Sequence, residues 1–323
     1  MTWMELSIDT THEAVDWVST LLAKTNYAGD VYITPYVDRD RDSPTNQPGE
    51  QPDWAFTIRL YLIWDARTNT QLQDIAHLLS PLCRTGLTTE LQTAVVEEKP
   101  AHPELSNSLI QRVGRRFVVV PFHTPYQSDA ADEITIRLGA ALAFGSGFHP
   151  ATILSLNLIE RYVAPPMNVL DLGSGSGILS VAMAKLGAQV LALDNDKIAV
   201  QATQDAVCRN GIAQQVTVMA GSLGHGSRLG HWMGGDTSDT VAAIAATASF
   251  DLIAANILAR MHIALANDFR HALRRTDAHT GILITAGYTS DYEHEVDAAL
   301  MEAGFAAIDR EQFNEWVALV HHC

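Results

Sequence analysis

Apolar and polar residues in the amino-terminal part of the chain alternate with the period of a β-strand, and twice they change to the period of an amphipathic helix. The helical stretches predict one helix capped by Thr10 or Thr11 and a second helix over Thr70–Leu79. The resulting order βαββαβ predicts a small ferredoxin-like α+β domain. The four predicted strands are Trp3–Ile8, Val31–Val37, Trp54–Trp64 and Leu87–Val96.

Short apolar runs in the carboxyl-terminal part alternate with segments of helical period, which is the pattern of parallel strands joined by helices. The last two runs have no helix between them, so they predict a closing antiparallel hairpin. Together the runs predict an α/β domain built on a seven-stranded Rossmann-like sheet. The seven runs are 169–172, 189–194, 216–219, 250–255, 281–286, 305–310 and 316–321. The helices predicted between them cover residues 178–187, 196–210, 257–275 and 290–303.

Composition indicates where the two domains meet. Residues 97–116 contain Pro100, Pro103 and few apolar positions, so we expect a linker with room for one short helix. This linker divides a small α+β domain at 1–96 from the Rossmann-like domain at 117–323. The length of the chain is sufficient for two such domains.

Four further segments have distinct patterns. Two β-rich runs, 117–121 and 133–138, are expected to pair with each other ahead of the main sheet. Residues 38–53, rich in Asp, Arg, Pro and Asn, predict an exposed loop. Residues 221–249, rich in Gly, Ser, Thr and Ala, predict an insertion before the fourth strand of the main sheet.

A glycine-rich turn lies between the first two runs of the main sheet. Gly173, Gly175 and Gly177 follow the first run, and Asp194 ends the second run, 21 positions after Gly173. Glycines allow a tight turn and a close approach of a ligand, and the start of the next helix offers unpaired N–H groups. An acid at the tip of the second strand can accept hydrogen bonds from a ribose. This pattern predicts a site for a cofactor that contains a nucleoside.

Asp171 distinguishes between the two cofactor classes that use such a turn. Its carboxylate stands two residues before Gly173, where it would repel a pyrophosphate but attract the ammonium and sulfonium groups of S-adenosylmethionine. The glycines also follow the spacing G-x-G-x-G, whereas the dinucleotide motif is G-x-G-x-x-G. A closing hairpin on a doubly wound sheet is typical of methyltransferases. We therefore expect a methyltransferase, with a dehydrogenase as the remote alternative that titration with both cofactors would test.

A second glycine-rich stretch, Ala143–Thr152, opens the helix that precedes the main sheet. It supplies further N–H and hydroxyl donors at a helix start. The residues predicted to bind the cofactor there are Gly145, Ser146, Gly147 and Thr152. His149 stands before a proline, a position that is more often structural than catalytic. Asn256 follows the fourth run, at the sheet edge where open α/β sheets bind their ligands.

Charge and cysteine usage limit the partners and the compartment. The formal net charge of −16 disfavours nucleic acid and anionic membranes and favours a basic partner, although acidity also serves solubility. Cys83, Cys208 and Cys323 form no C-x-x-C pair, which indicates a reducing compartment without structural zinc. His225 and His231 have no Cys or acidic partner at ligand spacing, so no metal is expected. Without a signal peptide or an apolar run of membrane-spanning length, we expect a cytoplasmic protein.

These motifs together resemble the PrmA family, bacterial enzymes that methylate the eleventh protein of the large ribosomal subunit. The segments that carry the resemblance are Ala143–Thr152, Val169–Leu179, Ala255–Ala259 and Glu315–Val320. The resemblance implies a monomeric enzyme that transfers methyl groups from S-adenosylmethionine to lysine or N-terminal amines of a basic ribosomal protein. The small domain at 1–96 fits the plan of the family. Because this domain is acidic and contains no set of residues typical of a catalytic nucleophile, we expect it to recognise the substrate protein, with a purely structural role as the alternative.

The resemblance implies roles for individual residues as well. Asn256 would lie near the transferred methyl group. Our own hypothesis for the mechanism is that the side-chain carbonyl of Asn256 holds the acceptor amine, Phe144 and Phe148 exclude water from the methyl group, and His149 orients the loop. This loop, Phe144–His149, would close over the methionine end of the cofactor. The residues implied to contact S-adenosylmethionine are Thr152, Gly173, Asp194 and Asn256.

Differences from the family pattern leave two alternatives open. Ser146, Phe148 and Ala151 stand where the family has threonines, and its acidic, tryptophan-bearing linker is not recognisable within 97–116. One alternative is a methyltransferase of the same fold that acts on another protein or a small amine. The other is a protein that binds S-adenosylmethionine without turnover. The second alternative is disfavoured by Asp171, Asp194 and Asn256.

Overall fold

The computed structural model of this chain describes residues 2–22, 25, 27, 29, 31–37, 54–99, 110–122, 124–128, 130–139, 145–224, 241–276 and 279–323. The chain forms two compact units. The first unit consists of Met1–Ile110, Pro121–Pro125 and Ala140–His149, and the second of Gln111–Val120, Tyr126–Gly139 and Pro150–Cys323. The predicted loop at 38–53, Phe144, His225 and His231 lie outside the described residues.

The first unit contains a four-stranded sheet and two helices in the predicted order βαββαβ. Its elements are β1 (Trp3–Thr10), α1 (Ala14–Leu22), β2 (Tyr32–Pro35), β3 (Phe56–Ile63), α2 (Thr68–Arg84) and β4 (Gln92–Val96). The strands lie in the order β2-β3-β1-β4, and all three neighbouring pairs are antiparallel. Helix α2 is longer than predicted, because Leu82 continues the buried face of Ile75 and Leu79 past Pro81.

The core of the first unit follows from the alternation in β1. Met4, Leu6 and Ile8 are buried on one face of the sheet, as the period of two requires. Val15 and Val18 of α1 belong to the same cluster of buried side chains. Burial of this apolar face against the helix stabilises the unit through the hydrophobic effect.

A buried acid interrupts the apolar face of α1. Asp16 is fully buried, and its carboxylate oxygens accept hydrogen bonds from the backbone N–H groups of Gly145 (3.0 Å) and Ser146 (2.9 Å). Burial raises the pKa of Asp16 above its ordinary value of 3.8. Two hydrogen bonds to one side chain thus hold a segment that is distant in sequence within the first unit.

The second unit begins with a small sheet. Its strands are β5 (Gln111–Val113), β6 (Phe117–Pro121) and β7 (Ile134–Leu138), in the order β5-β6-β7. Strands β5 and β6 form an antiparallel hairpin around Gly114, whose φ is +63°. The described end of the predicted linker is therefore a strand and not a helix, because Val113 packs into the core of this unit.

The main sheet of the second unit has eight described strands. The elements of this part of the chain are α3 (Pro150–Tyr162), β8 (Asn168–Leu172), α4 (Ile178–Lys185), β9 (Gln189–Asp194), α5 (Lys197–Arg209), β10 (Val216–Leu223), β11 (Ala242–Ile244), β12 (Leu252–Asn256), α6 (Ala259–Ala272), β13 (Arg275–Thr276), β14 (His279–Thr280), β15 (Ile282–Thr289), α7 (Ser290–Glu302), β16 (Ala306–Phe313) and β17 (Trp316–His322). Strands β13 and β14 form a separate two-stranded sheet. The strands lie in the order β11-β10-β9-β8-β12-β15-β17-β16. The α/β class is confirmed, and β16 and β17 form the predicted antiparallel hairpin.

Seven strands were predicted, and the eighth comes from the segment predicted as an insertion. Strand β10 continues to Leu223 instead of ending at Met219, and Ala242–Ile244 pairs in parallel with its last three residues. Leu223 is buried, so the strand continues into the core although its neighbours are Gly and Ser. Because this segment consists mainly of small residues, it lacks the alternation of apolar and polar positions from which a strand is predicted.

Helix α6 is shorter than the predicted 257–275 at both ends. Ile257 donates its N–H to Ala286 O of β15 at 3.0 Å, so it remains attached to the sheet, and Leu258 is still extended. At the other end Leu273 is extended and Arg274 donates its N–H to Phe250 O. Backbone hydrogen bonds to neighbouring strands therefore limit the helix.

Both faces of the main sheet are buried, as in doubly wound folds. Val169 of β8 belongs to one hydrophobic cluster, with side chains of α3, α4 and α5. Leu170 and Leu172 belong to another, with side chains of α6 and α7. Leu172 lies beside Leu193 of β9 and Ala255 of β12, so these parallel strands end at one edge. None of the described helices combines the length and apolar character of a transmembrane span.

Candidate active site

The carboxyl end of β8 leads into a turn that only glycine can form. Gly173 has a φ of +79° and donates its N–H to Leu193 O at 2.9 Å. A Cβ at this position would lie 2.6 Å from Cγ2 of Ile257. Backbone conformation and space both require glycine here, because the side chain of Ile257 packs directly against this position.

Helix α5 supports the rest of this turn. Gly175 donates its N–H to Asp194 Oδ2 at 2.9 Å and accepts a hydrogen bond from Thr203 Oγ1 at 3.1 Å. Thr203 Oγ1 also lies 2.9 Å from Ser174 Oγ. A Cβ on Gly177 would lie 2.9 Å from Cα of Thr203, so glycine permits this close approach of α5. Hydrogen bonds from strand β9, through Asp194, and from helix α5, through Thr203, therefore both fix the turn.

Asp171 lies fully buried in the last residues of β8. Its Oδ2 accepts a hydrogen bond from Ser180 Oγ, whereas Oδ1 has no hydrogen-bond partner among the described residues. Burial, together with the smaller effect of the charge of Asp194, raises the pKa of Asp171 to about 7. A buried carboxylate oxygen without a donor is costly, so a cationic donor supplied by a ligand would fit this position.

Asp194 ends β9 and is partly buried. Its two carboxylate oxygens accept hydrogen bonds from the N–H groups of Asp196 and Gly175, each at 2.9 Å. These bonds fix the plane of the carboxylate. Since each oxygen can accept a second hydrogen bond, Asp194 can also bind hydroxyl groups of a ligand.

The structure brings Asn256 and Thr152 together. Asn256 ends β12, Thr152 lies in the first turn of α3, and Asn256 Nδ2 donates to Thr152 Oγ1 over 3.4 Å. Asn256 Oδ1 is buried and has no hydrogen-bond partner in the described part of the chain. The amide carbonyl is thus an acceptor for an N–H group that the chain itself does not supply.

The predicted loop residues Gly145, Ser146 and Gly147 belong to the first unit. Gly145 and Gly147 have φ angles of +103° and +94°, which favour glycine. Ser146 Oγ accepts a hydrogen bond from Phe148 N–H at 3.3 Å. The carboxylate of Asp16 accepts hydrogen bonds from the N–H groups of Gly145 and Ser146 at the start of this stretch. The predicted contacts of these residues with the cofactor stay predictions.

Two other predicted residues of that loop are packed into the first unit. The ring of Phe148 lies against the ring of Phe56, with 4.7 Å between their centroids. His149 is fully buried, and burial lowers its pKa to about 3, so its imidazole is neutral at physiological pH. Roles for Phe148 and His149 in excluding water and orienting the loop stay predictions.

The residues at the edge of the second unit fit S-adenosylmethionine. Asp171 Oδ1 is a buried acceptor without a donor among the described residues, and the carboxylate of Asp194 can accept from a ribose. Acceptors suit a cofactor with an ammonium group and hydroxyls, whereas a pyrophosphate would face two carboxylates. Among the described residues, no three His, Cys, Asp or Glu side chains form a metal site.

Three supporting residues were not predicted from the sequence. Ser180 and Thr203 are buried residues with hydroxyl side chains on helices α4 and α5. A polar residue among apolar neighbours was the sequence feature that could have predicted them. Gly287 has a φ of +93°, and a Cβ there would lie 2.8 Å from Asn256 Oδ1. A glycine inside a strand pattern often marks such a close approach, so that signal was also present.

Comparison with known proteins identifies the family. The family model described as ribosomal protein L11 methyltransferase (PrmA) matches residues 2–323. Proteins named ribosomal protein L11 methyltransferase from Chloroflexus aurantiacus and Herpetosiphon aurantiacus are 41% and 37% identical to this chain. Each comparison covers 99% of this chain, and 97% and 99% of the respective relative.

A solved structure is similar as well. The crystal structure of ribosomal protein L11 methylase from Lactobacillus delbrueckii subsp. bulgaricus is 28% identical, with a TM-score of 0.51. The comparison covers 66% of this chain and 97% of that chain. Since the family model matches nearly the full length, the resemblance inferred from the motifs is confirmed, and this chain belongs to the ribosomal protein L11 methyltransferase (PrmA) family.

Proposed function

We propose that this chain transfers methyl groups from S-adenosylmethionine to amino groups of ribosomal protein L11, on lysine side chains, the N-terminus or both. The observation that carries the proposal is the buried Asp171 Oδ1, which has no donor among the described residues and lies just before a glycine turn. A cationic methyl donor satisfies this oxygen. The relatives that match over their whole length are named for methyl transfer to L11.

The proposed cofactor contacts come from two strand ends and from the turn after the first of them. Asp171 binds the amino group, Asp194 binds the ribose hydroxyls, and the turn at Gly173 and Gly175 lies along the nucleoside. When bound, S-adenosylmethionine supplies an electrophilic methyl group. The protein keeps Asp171 buried and surrounded by apolar side chains, so its attraction for a cation is stronger than it would be in water.

The acceptor amine must be uncharged before it can react. A lysine amine of ordinary pKa, about 10.4, is protonated in neutral solution, and its transfer into an apolar site lowers that pKa. Asn256 Oδ1 then accepts a hydrogen bond from the uncharged amine and orients the nitrogen lone pair. Positioning of this kind accounts for much of the rate acceleration in a simple displacement, so no dedicated base is required.

The first unit is proposed to be a ferredoxin-like recognition module. Residues 1–99 carry 15 acidic and 7 basic side chains, a net charge of −8, which complements a basic ribosomal protein. Its antiparallel sheet order β2-β3-β1-β4 supports this fold assignment. The proposed enzyme is a cytoplasmic monomer that contacts neither nucleic acid nor membrane.

The proposed function is tested by intact-protein mass spectrometry of unmethylated L11 from the same organism, incubated with S-adenosylmethionine and enzyme. We expect a mass gain in methyl-sized steps. Asp194→Ala should abolish most of this gain, because the ribose loses its acceptor. Asp205→Ala, at a partly exposed position of α5, is the control and should retain activity. An enzyme that binds S-adenosylmethionine but adds no mass to L11 would contradict L11 as the acceptor.

Cofactor affinity should depend on the charge of Asp171. Because its pKa of about 7 lies above the ordinary 3.8, the cofactor-free protein binds a proton there that the unfolded chain releases. This contribution to stability is complete below pH 3.8 and is lost as the pH rises through 7. The carboxylate that binds the cofactor amine forms over the upper part of the same range.

We therefore expect the affinity ratio of wild type to Asp171→Asn for S-adenosylmethionine to rise roughly tenfold from pH 6 to pH 8. The amine of the cofactor titrates identically in both measurements, so the ratio isolates Asp171. Calorimetric titrations at three pH values measure it. A ratio that stays constant across this range would rule out the proposed contact.

Electrostatic docking predicts that added salt raises KM for L11 but leaves KM for S-adenosylmethionine nearly unchanged. Neutralising the exposed Asp74 and Glu90 of the first unit should raise KM for L11 in the same direction. Steady-state kinetics at two ionic strengths provide the measurement. If KM for L11 is insensitive to salt, the first unit does not recognise its substrate by charge.

A further inference from the structure

Helix α6 carries a histidine that lies directly behind the end of β12. His262 is fully buried, and its Nε2 lies 3.1 Å from Ile257 O and 2.9 Å from Ala286 O. Ile257 follows Asn256 in the chain, and Ala286 is the cross-strand partner of Asn256 in β15. One ring nitrogen therefore contacts the backbone on both sides of the proposed substrate-binding amide.

The contacts of His262 define its tautomer. Both partners of Nε2 are carbonyl oxygens, so Nε2 carries the proton and donates to them. Burial lowers the pKa of His262 to about 4, which leaves the ring neutral, with a bare lone pair on Nδ1. Nδ1 is buried and has no hydrogen-bond partner among the described residues. A buried ring nitrogen without a hydrogen-bond partner is unfavourable, and an apolar side chain would avoid that free-energy cost. The hydrogen bonds of Nε2 are therefore what an imidazole contributes at this position.

The backbone around Asn256 has little freedom to move. Ala286 O accepts a second hydrogen bond, from Ile257 N–H at 3.0 Å. Gly287 lies so close that a Cβ there would be 2.5 Å from Ile257 O and 2.8 Å from Asn256 Oδ1. A small shift of Ile257 O towards Gly287 would therefore also displace the amide of Asn256. The bonds from His262 and Ile257 to Ala286 O oppose such a shift.

The ring of His262 is itself held in place. It packs edge-on against the ring of Tyr288, with centroids 5.3 Å apart and planes at 71°. The hydroxyl of Tyr288 shares a hydrogen bond of 2.8 Å with Thr285 Oγ1, and both groups are buried. Strand β15 therefore fixes the orientation of the ring as well as accepting its hydrogen bond.

We propose that His262 is a positioning residue for the methyl transfer: by donating Nε2–H to Ile257 O and Ala286 O, it fixes the direction in which Asn256 presents its side-chain carbonyl to the acceptor amine. This inference rests on the proposed function of Asn256. The described hydrogen bonds and ring contacts of His262 involve neither of the proposed cofactor residues Asp171 and Asp194. Its removal should consequently affect turnover and leave cofactor affinity unchanged.

The test compares two substitutions of His262 in the full-length enzyme. His262→Leu fills a similar volume without a donor, and His262→Gln retains an N–H donor on a side chain of similar reach. We expect both His262→Leu and Asn256→Ala to lower kcat by roughly tenfold or more, with the Kd of His262→Leu for S-adenosylmethionine within about threefold of wild type. His262→Gln should recover most of kcat. His271→Leu, at an exposed position of the same helix, should behave like wild type.

A second readout does not depend on any substrate. In protein labelled with ¹⁵N at asparagine, the side-chain amide signal of Asn256 is assigned by its loss in Asn256→Ala. We expect this signal to shift or split in His262→Leu and to stay near its wild-type position in His262→Gln. Thermal unfolding verifies that each variant is folded.

The outcomes separate this inference from the proposed function. If His262→Leu keeps wild-type kcat, or if the Gln and Leu variants lose kcat equally while folded, His262 does not position Asn256. If the wild-type enzyme itself does not methylate L11, the proposed function fails. In that case the Asn256 amide signal still decides whether His262 fixes its orientation. An unchanged signal in His262→Leu overturns the inference.

Discussion

The burial of one carboxylate at the end of a parallel strand is the constraint on which the catalytic unit depends. Asp171 is fully buried, and Ser180 satisfies only one of its two oxygens. An acid in that position is costly unless a cation reaches it, which is why its pKa lies near 7 in the free protein. The turn that begins at Gly173, two residues after Asp171, follows directly on the end of this strand.

The sheet topology brings Asp171 close to the other polar residues of the candidate site. Strands β8, β9 and β12 are parallel neighbours, so Asp171, Asp194 and Asn256 lie at or near the same edge although they are far apart in sequence. Helix α5 supports the turn through Thr203, and strand β15 supports Asn256 through Ala286. The groups that would contact cofactor and substrate are thus backed by a layer of buried hydrogen bonds, which fixes their geometry.

Much of this arrangement was predictable from local patterns. The spacing from Gly173 to Asp194 indicated a strand, turn, helix and strand unit, and Asp171 favoured S-adenosylmethionine over a dinucleotide. Those inferences succeeded because the backbone conformation of each glycine and the position of each acid follow from neighbouring residues. The carboxyl-edge position of Asn256 followed from the general rule for parallel sheets.

Other features depend on contacts that no local pattern contains. Asp16 accepts hydrogen bonds from Gly145 and Ser146, so part of a later loop belongs to the first unit. The edge strand Ala242–Ile244 lies among small residues whose pairing depends on β10. Helix α6 begins later than its periodicity suggests, because Ile257 is bonded to β15. In each case a partner distant in sequence decides the local structure.

The central claim is that this edge of the sheet binds a cationic methyl donor rather than a pyrophosphate. Isothermal titration of the purified full-length chain with S-adenosylmethionine, and separately with NADH, tests it most directly. The account predicts saturable binding of one S-adenosylmethionine per chain and no binding heat with NADH at the same concentrations. Saturable binding of NADH, with none of S-adenosylmethionine, would contradict it.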